Sequence, residues 1–107
     1  MKETALEDLD LSVFAALVNS TFFVRQESGD RVELVLAEAK PVHAAGARTD
    51  ARTRCFSLVF QGPDILFLPQ KIHTFEHASI GRFALFIVPV GQKQGCVEYQ
   101  AVFNRPA

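Results

Sequence analysis

Residues 71–77 read KIHTFEH. They match H-x-x-E-H, the signature of inverted zinc peptidases, with His73, Glu76 and His77 in the required places. On a helix, His73 and His77 would stack one turn apart and share an ion about 2.1 Å from each nitrogen. On a strand, residues four apart lie roughly 13 Å from each other, and no single ion reaches both. The secondary structure of these seven residues therefore decides both fold and chemistry. Ile72, Thr74 and Phe75 favour extended backbone. Pro69 and Gly81 bracket the stretch closely, which leaves little room for an active-site helix. Beyond His77 only Glu98 remains as a carboxylate for a third ligand. The stretch reads as a strand, with His73, Phe75 and His77 on one face and Thr74 and Glu76 on the other. The peptidase match is accidental on this reading, and no catalytic residue, metal ligand or cofactor site is assigned.

The period-2 pattern extends in both directions from this strand. Toward the C-terminus, Gly81 turns the chain into a strand near 82–90, and a last strand follows near 96–104 with Val97, Tyr99, Ala101 and Phe103 on one face. Upstream, CFSLVFQ places Phe56, Leu58 and Phe60 opposite Ser57 and Gln61, and Gly62-Pro63-Asp64 is expected to end that strand. An apolar connection, Ile65 to Leu68, leads to Pro69. Earlier still, strands near 20–27 and 31–42 flank Ser28-Gly29-Asp30, a hairpin turn. Pro41 marks a bend, a bulge or an exit at the edge.

Before the strands, Phe14, Leu17 and Val18 fall at helical spacing, with Asp10 or Ser12 as cap and Asn19 as stop. Residues 1–10 carry Glu3, Glu7, Asp8 and Asp10 against Lys2 and read as a flexible leader to one β-rich domain over 11–107. Short links and the absence of crossover helices require antiparallel pairing. The expected fold is mainly β: about six antiparallel strands in a barrel or strongly coiled sheet, with one short N-terminal helix.

Composition agrees and excludes several functions. The chain has 107 residues, 49% hydrophobic and 21% charged, with ten phenylalanines, one tyrosine and no tryptophan. That suits a single domain with a Phe-built core. Eleven basic against twelve acidic residues give a net charge of -1, which disfavours nucleic acid and anionic membranes as partners. No apolar run approaches the roughly eighteen residues of a membrane span, and the N-terminus lacks a secretory h-region. Cys55 and Cys96 are expected as free thiols in the cytoplasm. No serine has the setting of a nucleophile, and the glycines form no phosphate-binding loop.

Two surfaces stand out. The strand RFALFIVPVG is apolar on both faces, with Phe83, Leu85 and Ile87 on one and Phe86, Val88 and Val90 on the other. A one-sided sheet cannot hide both. Either the helix or the 65–68 connection covers the second face, or Phe86, Val88, Val90 and Phe67 form a partner or subunit interface. The 43–54 loop carries Arg48, Arg52 and Arg54 against Asp50, a candidate grip for an anion or an acidic partner.

FSLVFQGPDILFLPQ at 56–70, FEH at 75–77, LFIVPVG at 85–91 and YQAVFN at 99–104, together with LSVFAALVNSTFFV at 11–24, resemble a bacterial family of short proteins known only as a domain of unknown function. Asn19 and Lys71 stand where that family usually has glycine, and Phe75 where it has leucine. The resemblance implies an accessory role beside tail-like or surface assemblies and supplies no activity. Its recurring polar positions, Gln70, His77 and Asn104, are expected to satisfy backbone groups at turns. The expected function is a non-catalytic protein-binding or assembly module that offers strand edges or an apolar face to a protein partner or to a second copy. The alternative is a small-ligand carrier with a pocket at the mouth of the curled sheet. Least favoured is a hydrolase using His77 with Cys96 or Glu76.

Overall fold

The computed structural model describes residues 1–42, 55–93 and 95–104. Among these residues there are six strands: β1 (Thr21–Arg25), β2 (Arg31–Pro41), β3 (Cys55–Pro63), β4 (Lys71–His77), β5 (Gly81–Lys93) and β6 (Cys96–Asn104). All neighbours run antiparallel, and the order β1-β2-β3-β6-β5-β4 closes into a barrel because β1 pairs with both β2 and β4. The fold is thus the mainly β antiparallel barrel expected from the alternation.

Local chemistry sets the register. Gly29, at φ 96°, occupies the left-handed region in the turn that sets Arg25 opposite Arg31. The tight link 78–80 sets His77 opposite Gly81 and Ile72 opposite Phe86. β2 shifts register between Leu36 and Glu38, so its kink precedes Pro41, which ends the strand opposite Phe56. β3 runs two residues past the expected stop: Gly62 pairs with Val97 and Pro63 with Cys96. The glycine there serves packing, because a Cβ would come within 2.5 Å of a Leu34 methyl.

Alternate side chains fill the interior. Phe22, Leu34, Phe56, Phe60, Phe75 and Tyr99 are fully buried. Phe60 packs on Phe22 and Phe75 at centroid distances of 5.4 and 5.1 Å, and Phe75 stacks on Phe83 at 5.7 Å. Each such pair adds about 0.5–1.5 kcal/mol beyond its buried area.

Both mouths are plugged. At the lower one, helix α1 (Leu11–Ala15) is capped by the Asp10 carboxylate, which accepts the Val13 N–H at 3.1 Å. Asn19, at φ 75°, ends the helical segment. The helix is a turn and a half, and it places Phe14 against Phe56, Phe83 and Phe103 at 5.7–6.1 Å. At the upper mouth the 64–70 connection crosses from β3 to β4 and buries Leu68. Residues 1–10 depart from the expected flexible leader. Thr4 N–H donates to Arg82 O at 2.8 Å, Arg82 N–H donates to Lys2 O at 2.7 Å, and Leu9 joins the core. Among the described residues no helix is long and apolar enough to cross a membrane.

Candidate functional site

KIHTFEH is strand β4 throughout. His73, Phe75 and His77 point inward and Glu76 outward, so the two imidazoles stand roughly 13 Å apart along the chain. The geometry that the peptidase signature needs is not present. Each ring is instead tied to nearby structure. His73 Nε2–H donates to Pro69 O at 2.8 Å. His77 Nδ1 accepts the Ser79 N–H at 3.0 Å, so in the neutral ring Nε2 carries the proton. That Nε2–H faces Ser20 Oγ at 3.0 Å, and the Ser20 hydroxyl donates on to Leu17 O at 2.5 Å. A general base would need the opposite tautomer, with a lone pair on Nε2 toward the serine. Burial pushes His77 below its ordinary pKa, which matches a neutral ring. His77 thus staples the end of β4 to the exit of α1.

The outer side of β4 carries charge. The buried Glu76 carboxylate receives Arg82 Nε–H at 3.0 Å, with Arg25 and Arg31 each 3.7 Å away. Arg82 also donates to Glu3 at 3.0 Å. Hydrogen bonds to Glu76 and Glu3 push the Arg82 guanidinium further up. Arg31 lies over the Phe23 ring, 4.7 Å from its centroid. This network ties β1, β2, β4, β5 and the N-terminal segment together on one wall.

Beside it the wall is apolar. Ile72 on β4 and Phe86 on β5 are cross-strand partners, and they are 65% and 48% exposed. Val90 on β5 and Val102 on β6 are also exposed, while Val88 is half-buried opposite Gln100. Phe67 is exposed at the upper mouth beside Tyr99. The expectation that α1 or the 65–68 connection covers this face does not hold. Both elements close the mouths of the barrel and leave the wall open.

The remaining expected positions are scattered. Arg48, Arg52 and Arg54 lie outside the described residues. Gln70 is exposed just before β4, and Asn104 ends β6 opposite Cys55. Cys55 and Cys96 form no disulfide and are partly buried, at opposite ends of β3–β6 pairing. Cys96 starts β6 at the upper mouth and His77 ends β4 at the lower, so they form no dyad. Ile72 and the arginines around Glu76 escaped sequence reasoning. The short 78–80 link was the available signal, because it fixes both Ile72 against Phe86 and Glu76 against Arg82.

No curated protein and no solved structure matches the chain. One family model, described as a domain of unknown function (DUF6916), matches residues 9–103.

Proposed function

The chain belongs to the DUF6916 family of domains of unknown function, and we propose that it is a non-catalytic binding module whose contact surface is the outer wall around Ile72 and Phe86. The observation that carries this reading is the exposure of two large apolar side chains directly opposite each other on adjacent strands. A cross-strand apolar pair left in water forms a ready anchor for a protein surface. Closure of the barrel gives every strand two neighbours, so recognition goes through side chains and not through strand addition at a free edge. The partner is a protein: the Glu76 network beside the pair sets Arg25, Arg31 and Arg82 against Glu3 and Glu76, both signs of charge, which suits a polar rim.

A carrier role lacks comparable support, because Phe14 and Leu68 occupy the two mouths where a ligand would enter. A hydrolase built on His77 fares no better, given the tautomer that Ser79 imposes. Two cysteines far apart and without a disulfide fit a reducing, cytoplasmic setting. An accessory place beside a tail-like or surface assembly rests on the family resemblance alone.

The test is recovery of a stoichiometric protein partner from the native host with the tagged wild-type chain and with an Ile72→Thr/Phe86→Ser double variant. Both substitutions are on the surface, so the variant should melt with the wild type. Loss of the partner from a folded variant supports the reading. A partner retained by the variant, or absent from the wild type, refutes it.

A further inference from the structure

A cavity of about 480 Å³ opens where the turn after β1 faces the start of β4. Residues 25–28 form one side, and Pro69 with residues 71–74 the other. Hydrogen bonds pin both sides. Gln26 N–H donates to Asp30 O at 2.7 Å, and Gln26 O accepts the Gly29 N–H at 2.9 Å. Opposite, the His73 ring is tied to Pro69 O at 2.8 Å. A frame held this way lowers the ordering cost of binding.

The lining is rich in donors. Gln26 Nε2 is buried and has no hydrogen-bond partner among the described residues, a rare condition for a native amide. Lys71 is half-exposed, and it meets Glu27 only at 3.6 Å, through a carboxylate side chain that is 94% exposed. Such a surface pair is weak and easily exchanged. Arg25 reaches Glu76 through Nε at 3.7 Å, which leaves its terminal nitrogens for another acceptor. Glu76 itself is matched by Arg82 at 3.0 Å. We propose that this cavity is a carboxylate-binding subsite, filled by an aspartate or glutamate side chain of the protein that docks on the Ile72–Phe86 wall. Arg25 and Lys71 against Glu27 leave one net positive charge on the lining, which matches a carboxylate monoanion and falls short of a phosphate dianion. Ile72 belongs to both features, because it lines the cavity and is half of the exposed cross-strand pair. A chain lying on that pair therefore carries its neighbouring side chains over the cavity. The occupant rests on the reading of the wall as a docking face; the cavity's preference for carboxylate does not.

Two measurements test the two halves. In the first, the ¹⁵N-labelled chain is titrated with sodium acetate or inorganic phosphate at constant ionic strength set by sodium chloride, and the Gln26 side-chain amide is followed by NMR. The expected result is a saturable shift with acetate, weaker binding of phosphate, affinity for acetate at least about tenfold lower in Lys71→Ala, and no change in Phe86→Ser. Melting curves confirm that each variant is folded. No saturable response to acetate overturns the subsite, as does an unchanged response in Lys71→Ala or tighter binding of phosphate. In the second, the protein recovered from the native host is titrated against wild type and Lys71→Glu. Affinity at least about tenfold lower for the folded variant supports the acidic occupant, and equal affinity overturns it. Absence of any partner refutes the wall reading and its occupant together, while the acetate titration still decides the cavity.

Discussion

The phenolic oxygen of Tyr99 accepts the backbone N–H of Leu68 at 3.0 Å, and both residues are fully or almost fully buried. The hydroxyl reaches from β6 across the upper mouth and fixes the connection that closes it, with Leu66 O a further 3.5 Å away. Tyr99→Phe leaves the Leu68 donor without its partner. The expected loss is about 1–3 kcal/mol in a urea titration. Limited proteolysis should show faster cleavage between residues 64 and 68. Unchanged stability together with unchanged cleavage would remove this role from Tyr99.

His77 gives the fold a pH dependence. Burial lowers its folded pKa below the ordinary 6.5, so the unfolded chain takes up a proton that the folded chain refuses. Stability is complete above the unfolded value and falls as pH drops through it toward the folded value. His77→Gln keeps polar atoms and removes the titration. The wild type's stability advantage over this variant should shrink between about pH 8 and about pH 5. A constant difference would contradict the neutral, buried ring.

Gly81 permits the first residues of the chain to dock. Its φ is 89°, and a Cβ at this position would overlap Lys2 O and approach Thr4 Oγ1 at 2.9 Å. Gly81→Ala therefore suffers both backbone strain and a clash with the docked segment. We expect a loss of at least about 2 kcal/mol. Hydrogen exchange should show the Thr4 amide, now bonded to Arg82 O, lose protection.

Glu76→Gln tests the outer network. The neutral amide keeps the shape but leaves Arg25, Arg31 and Arg82 as like charges around a group that no longer neutralises them. A loss of about 1–3 kcal/mol is expected. High salt should narrow the gap to the wild type by screening the half-exposed Arg25 and Arg31. A gap independent of salt would point to hydrogen-bond loss alone.

Much of the barrel was legible because alternation is a property of each strand by itself. Phe56, Leu58 and Phe60, or Val97, Tyr99 and Phe103, declare their inner face without reference to any neighbour. Closure was not legible. It depends on β1 pairing with β4, a contact between Phe23 and Glu76 that no local pattern encodes. Gly62-Pro63 misled for a similar reason: it has turn chemistry, yet the distant Leu34 explains the glycine. The same limit applies to the site. Phe86 and Val90 were readable as surplus on a two-faced strand. The arginines at 25, 31 and 82 look like ordinary surface charge until three strands bring them to Glu76.

The seating of Phe14 against the stacked rings of Phe56 and Phe103 bears on how the polypeptide reaches its final form during synthesis. The helix is made before any of the strands, but one wall of its berth is supplied by β6, the last of the described strands to be made. Until then the opening segments have no finished cavity to occupy, so folding of the barrel waits on the synthesis of β6 and the nascent chain must keep its phenylalanines from straying into other company.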